Sequence, residues 1–208
     1  MPGDPYRIDD ERALEALIGE PLEFLRAKIE SKLDDPMKEF VRCSPLVFVS
    51  TITADGHVDI SPKGDPSGFV QIDGSGNLLI PERPGNRLAF GFRNILHNRE
   101  IGLIFIVPSQ KETLRVKGLG SLRSDPEVLG TMRVNKKPAL LYTHVEVKEC
   151  FFHCGKALIR SKVWQPEAWA AEQRSIAAQH FAKLRLPGNG NVRLTETVLE
   201  QSYRNDLY

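Results

Sequence analysis

Three short segments place cations where they could hold an anion. In "DISPKGDPSGFV", Ser61 and Lys63 stand two residues apart, so on an extended chain a hydroxyl and an ammonium point the same way. A solvated strand end would show the same spacing. In "IPERPGNRLAFGF", Pro and Gly deliver the chain to Asn86 and Arg87 at an expected helix start. Helix N-termini present unpaired amides to anions, and Arg adds a fork suited to phosphate. A capped helix with a surface Arg is the plain alternative. In "ETLRVKGLGSLR", Arg115 and Lys117 alternate on one face of a strand. An exposed charged pair is the usual cause, whereas a barrel interior or a dimer cleft would make them ligands.

The segment "CFFHCGKALIRSKVW" holds two cysteines and a histidine within five residues. Read as a helix, it puts His153, Lys156, Arg160 and Trp164 on one stripe, with Phe151, Phe152, Leu158, Ile159 and Val163 on the other side. Two cations flanked by rings could clamp a phosphate and cover an aromatic ring system. A surface helix with snorkelling cations has the same pattern. Cys150, His153 and Cys154 could supply three metal ligands. A closed zinc site wants four, from separated pairs, and no second pair exists in the sequence. No metal is therefore expected, and the thiols are expected to pack.

Other chemistries lack their signatures. There is no P-loop, no HExxH and no GxSxG elbow, and "GSGN" lies between two short strands, as a hairpin turn does. The carboxylate pairs Asp9–Asp10 and Asp34–Asp35 sit near helix starts, where capping accounts for them.

The elements that must position these residues run in a simple order. Ala13, Leu14, Leu17 and Ile18 mark a short helical face, and Leu22, Leu25, Ile29 and Leu33 continue at spacings of three and four. "DDPMKEFVRC" reads as a third helix, with Asp35 as N-cap and Pro36 at the first position. Strands follow at "PLVFVSTIT", "VDIS", "FVQID", "LLIP", "IGLIFIV" and "ETLRVKGLGSLR", joined by short polar turns such as "ADGH", with a helix around "NRLAFGFRNILHN". Asp125 and Pro126 open a further helix, "ALLYTHVEVKE" is another strand candidate, and Trp169, Ile176, Ala177, His180, Phe181 and Leu184 share a late helical face. The expected fold is mainly β with flanking helices, an antiparallel sheet or barrel in one domain over residues 1–208. Its parts are a helical segment 1–45, a core 46–149 and a helical segment 150–208.

Lys plus Arg total 28 against 27 for Asp plus Glu, so no global basic field points to nucleic acid or anionic lipid. No apolar run reaches membrane-spanning length, the first residues lack the regions of a signal peptide, and three sparse cysteines suit a reducing cytoplasm.

The stretches "LVFVSTITADGHVDISPKGDPSGFV", "LLIPERPGNRLAFGFRNIL" and "IGLIFIVP" together resemble the pyridoxamine 5'-phosphate oxidase-like family of FMN-binding split-barrel proteins. "CFFHCGKALIRSKVW" and the closing "LEQSYRNDLY" look like one subfamily of FMN-dependent enzymes of unassigned substrate. The likeness runs from Pro45 to the C-terminus and is strongest between Leu46 and Trp164. It implies a six-stranded antiparallel split barrel that forms a homodimer, with FMN in two clefts at the dimer interface. It implies phosphate and ribityl contacts from Asp59 to Lys63, with Ser61 where the oxidases place an arginine. Ile80 and Pro81 would lie beside the flavin. Asn86 and Arg87 match the family's basic pair before the helix, Asn replacing one cation, and Arg115, with Lys117 two residues on, falls near a glutamine that approaches the ring. With the strand arginine absent, Lys63, Arg87, or Lys156 and Arg160 would carry the phosphate charge. The oxidases' C-terminal arginine and histidine pattern is not evident, so pyridoxamine phosphate oxidation is not assigned. The resemblance implies an FMN-dependent oxidoreductase for an unidentified small molecule, or a protein of this fold that binds flavin, F420 or haem without turnover.

Overall fold

The computed structural model describes residues 4, 6–20, 22, 27–85, 87–169, 175–184 and 191–205. Two helices precede the sheet: α1 (Glu11–Ile18) and α2 (Asp35–Cys43). The cap of α2 is Asp34 rather than Asp35, because its side chain accepts from the Met37 amide at 2.8 Å. Pro36 then falls at the second helical position, where its missing N–H costs nothing. The expected helix through Leu22, Leu25, Ile29 and Leu33 lies partly outside the described residues, and residues 27–34 are not helical. Glu30 instead forms an antiparallel bridge with Cys150, so a backbone ladder overrides the apolar spacing there.

Seven strands make the sheet: β1 (Leu46–Ile52), β2 (Val58–Gly64), β3 (Gln71–Ile72), β4 (Leu78–Glu82), β5 (Glu100–Ile106), β6 (Thr113–Arg123) and β7 (Leu141–His153). Their order is β2-β1-β5-β6-β7-β4-β3, with antiparallel neighbours throughout. The count exceeds the expected six through β3, a two-residue strand paired with β4. Four strands separate β2 from β4, yet Lys63 of β2 reaches Glu82 of β4 at 2.8 Å. The sheet has curled until its two ends meet, the geometry of a split barrel.

Alternation fills the interior. Val47 and Val49 of β1, Leu103 and Phe105 of β5, Leu114 and Val116 of β6, and Val145 and Cys150 of β7 point inward and are buried. Met37 and Val41 of α2 close one opening, and Ile95 of α3 (Phe90–His97) closes another. Strand β4 is buried on both faces. Leu78 and Ile80 join the main core, while Leu79 packs with Met132, Ala139 and Tyr142 in a second cluster beneath α4 (Pro126–Thr131).

The helical reading of "CFFHCGKALIRSKVW" is corrected. Its first four residues are the end of β7, paired with β6 from Val116↔Cys150 to Thr113↔His153. A helix, α5, spans only Lys156–Ser161 and ends at Lys162 in the left-handed region, at φ 53°. The phenylalanines explain the change: aromatic residues suit a pleated surface, and extending the long β6–β7 ladder outweighs helical spacing. The ladder bends at a bulge between Lys117 and Gly118, and a side chain at Gly118 would collide with the Glu146 carbonyl. The late helices are α6 (Ile176–Phe181) and α7 (Val192–Asn205); Trp169 precedes α6 as the end of a short 3-10 turn. No described helix is long and apolar enough to cross a membrane.

Candidate functional site

Where the curled sheet meets α3, a cavity of about 370 Å³ opens, within the usual range of roughly 300–1,000 Å³ for ligand pockets. The inward side chains of β2 form one wall: Asp59, Ser61 and Lys63, each two apart, lie on the less exposed face of that strand. Ile80 and Glu82 of β4 form the opposite wall. The segment Leu88–Phe92, which leads into α3, closes the end.

Buried beside Lys63, Glu82 is held by it at 2.8 Å, while the Lys63 ammonium also lies 4.7 Å from the centre of the Phe92 ring. Burial pushes the Glu82 carboxyl above its ordinary value, against the lowering effect of Lys63. Next along β4, Arg83 pairs with buried Asp65 at 2.8 Å and donates to the Met132 carbonyl at 2.7 Å. Asn94 of α3 donates to Thr51 at 3.0 Å and to Asp59 at 3.5 Å, which fixes the helix against β1 and β2.

The helix start is unusual. Its N-cap is Ala89, at φ 54°, with no side-chain cap, and Arg87 also has a positive φ of 62°. Non-glycine residues in this region cost of order 1–3 kcal/mol each and cluster at binding sites. The first-turn amides thus face a cavity without a side-chain acceptor from the cap residue, which suits an anion. Gly91 adds closeness: a Cβ there would sit 3.7 Å from Thr51 Oγ1 and 4.0 Å from Ser61 Oγ, in space now open.

The residues singled out from sequence fall in three groups. Asp59, Ser61, Lys63 and Ile80 line the cavity together. Pro81 turns to the other face of β4, paired with Tyr142, and Arg87 stands exposed three residues before α3 begins. Arg115 and Lys117 share the outer face of the sheet, away from the cavity, where Lys117 pairs with Glu149 and Arg115 lies 5.3 Å from the Phe151 ring centre. Lys156 and Arg160 share one side of α5, but His153 belongs to β7 and Trp164 follows the helix, its indole donating to the Gln110 carbonyl at 2.9 Å. None of these four lines the cavity. Asn86 lies outside the described residues. Of the three cysteines, Cys150 is buried and Cys43 and Cys154 are exposed, and no cluster of three metal-ligating side chains exists among the described residues.

Glu82, Thr51, Thr143 and Gly91 were not anticipated. Glu82 carried a usable signal, since "IPE" places it two residues beyond Ile80 on the same strand face.

The sequence profile of the pyridoxamine 5'-phosphate oxidase family matches residues 33–154, more than half of the 208-residue chain. The chain belongs to this family. The matched span of the pyridoxamine 5'-phosphate oxidase family runs from the start of α2 to the end of β7, and so includes all seven strands and the cavity. Solved structures that align with the chain include HupZ of Group A Streptococcus, at 16% identity over 58% of this chain and 93% of that one, with a TM-score of 0.46. General stress protein 26 of Bacillus anthracis aligns at 12% identity over 55% of this chain and 88% of that one, with a TM-score of 0.43. HutZ of Vibrio cholerae, a heme storage protein, aligns at 14% identity over 58% and 94%, with a TM-score of 0.39. No curated protein matches the chain.

Proposed function

We propose that this protein binds FMN in the cavity between β2, β4 and α3 and works as an FMN-dependent oxidoreductase on a small molecule. The observation that carries the reading is the uncapped start of α3, with strained Arg87 and Ala89, facing Lys63 across a cavity inside the family's matched region. The residues present fit a flavin nucleotide. Lys63 and the first-turn amides suit a phosphate, the Ser61, Thr51 and Thr143 hydroxyls suit a ribityl chain, and Ile60, Ile80 and Phe90 suit a ring edge. A bound flavin would supply hydride or electron transfer, which no side chain here can supply alone.

The protein's own part is to hold and orient. An incoming phosphate competes with Glu82 for Lys63. Glu82, already costly to ionise in its buried position, then loses the counter-charge of Lys63, which favours its protonated form further. Anion binding is thereby coupled to proton uptake at Glu82.

The proposed assembly is a homodimer. The outer faces of β1, β2 and β5 form an apolar groove lined by Phe48, Ile52, Val58, Ile60 and Ile104, with Val58 66% and Ile60 63% exposed. Glu100 lies at this groove with Arg115 and Lys117, so a second copy related by a two-fold axis could set cation against carboxylate twice. This face adjoins the cavity through Ile60, which lines both.

Fluorescence titration with FMN tests binding: wild type quenches the flavin, and Lys63→Gln weakens the affinity at least about tenfold. Equal affinity in the two proteins would remove Lys63 from the site. Turnover is tested separately, by anaerobic reduction with NADH or NADPH followed by reoxidation with a small acceptor. A flavin that stays oxidised with both donors would leave a binding protein rather than an enzyme.

A further inference from the structure

A second concave site lies on the other face of the sheet from the flavin cavity: on β7, Thr143 lines the first and its neighbour His144 lines the second. It has a volume of about 400 Å³ and is lined by Lys32, Arg99, Arg123, His144, Ser121 and Glu146, with the β3–β4 turn at Ser75–Asn77. None of its lining residues belongs to the flavin cavity. Lys32, Arg99 and Arg123 form no ion pair among the described residues, so three like charges converge on one concavity, where the Glu146 carboxylate, which Arg99 acts on without a direct ion pair, is their counter-charge among the described lining residues. Such crowding is unfavourable by itself. Glu146, the one carboxylate among the described lining residues, is already engaged by Lys148.

Several of these groups are held in place. Arg99 donates from Nε to the Gly120 carbonyl at 3.1 Å, which fixes one side of the guanidinium and leaves its terminal nitrogens for a ligand. Ser121 and His144 are direct cross-strand partners, so both stand on the same face. His144 lies 3.2 Å from Asp73 through Nε2. Asp73 in turn accepts from the Ser75 and Asn77 amides at 2.8 and 2.9 Å. Burial alone would raise the Asp73 carboxyl, but these bonds from Asn77, His144 and Ser75 lower it, so it stays an anion that orients the imidazole.

We propose that this pocket binds the phosphate group of a small phosphorylated molecule, through Arg99, Arg123 and Lys32, with Ser121 and His144 as further polar partners. Arginine forks match phosphate oxygens in pairs, and a doubly charged group is the ligand that three unpaired cations call for. The site does not depend on the flavin reading, since it shares no residue with that cavity.

Calorimetric titration with pyrophosphate, paired with imidazole NMR of the full chain, tests it. Wild type saturated with FMN, so that the Lys63 site is filled, should show one saturable site, and the His144 ring signal should move with the same affinity. Arg99→Gln and Arg123→Gln should each weaken binding about tenfold or more, whereas Lys63→Gln should leave this site unchanged. Melting curves identify any variant that fails to fold, and Arg123→Lys, which keeps the charge, should retain part of the affinity. Absence of saturable binding, a still His144 signal, or binding that survives both arginine changes and falls in Lys63→Gln would each overturn the proposal.

Discussion

Gly91→Ala separates the ligand site from the fold. Gly91 is the second residue of α3, and an added methyl would meet Thr51 Oγ1 at 3.7 Å and Ser61 Oγ at 4.0 Å, ordinary contact distances. The protein therefore has room for it. Replacing a helical Gly by Ala contributes about 0.5–1 kcal/mol, which for a chain of this size raises the melting temperature by roughly 1–4 °C. The methyl would occupy the gap between the first-turn amides and β2, where a phosphate must approach the backbone. Loss of one charge-assisted hydrogen bond costs about 1.5–3 kcal/mol, a roughly ten- to hundredfold loss of FMN affinity. Thermal unfolding by circular dichroism and FMN fluorescence titration read the two effects. A variant that is more stable and binds FMN as wild type does would show that no ligand sits at the start of α3. A variant that melts lower would show that the space at Gly91 is not free.

Ile104→Glu, on the outer face of β5, should convert the proposed dimer to a monomer; light scattering would show an unchanged mass if the face is not the interface. The raised Glu82 carboxyl contributes stability below its ordinary value of 4.5 that is lost as pH rises through its folded-state value. Denaturant unfolding from pH 4.5 upward should therefore give a flatter profile for Glu82→Gln than for wild type, and parallel profiles would refute the burial argument. The same carboxyl makes FMN affinity rise toward low pH, a trend that Glu82→Gln should abolish. Among the thiols, burial, followed by Asp34, Glu30 and Glu149, pushes Cys150 up to about 11, and a hydrogen bond to Glu39 raises Cys43. Thiol titration of the native protein should label Cys154 first, Cys43 more slowly and Cys150 only after denaturation; early labelling of Cys150 would contradict its packing.

Much of the cavity was legible because β-strands advertise their faces. The two-residue spacing of Asp59, Ser61 and Lys63 survives intact as one wall, since a half-buried edge strand leaves its alternation visible. Glu82 was as readable by the same rule, but a lone glutamate in "IPERP" gives no hint that a strand five places away in the sheet will pair it with Lys63. That contact depends on the curl of the sheet. Segment 150–164 misleads for a different reason: His153, Lys156, Arg160 and Trp164 have helical spacing, while Phe151 and Phe152 have strand chemistry. The register with β6 decides between them, and register is set by residues far away in sequence. At α2, two adjacent aspartates compete for the cap, and only the Asp34 hydrogen bond to Met37 tells them apart.

The visible absorption spectrum of the purified protein, before and after addition of FMN and gel filtration, bears most directly on the central claim. Flavin bands that travel with the wild-type protein, release FMN on denaturation and are lost in Lys63→Gln are expected. A protein that stays colourless after FMN addition, or one that carries a Soret band instead, would contradict it.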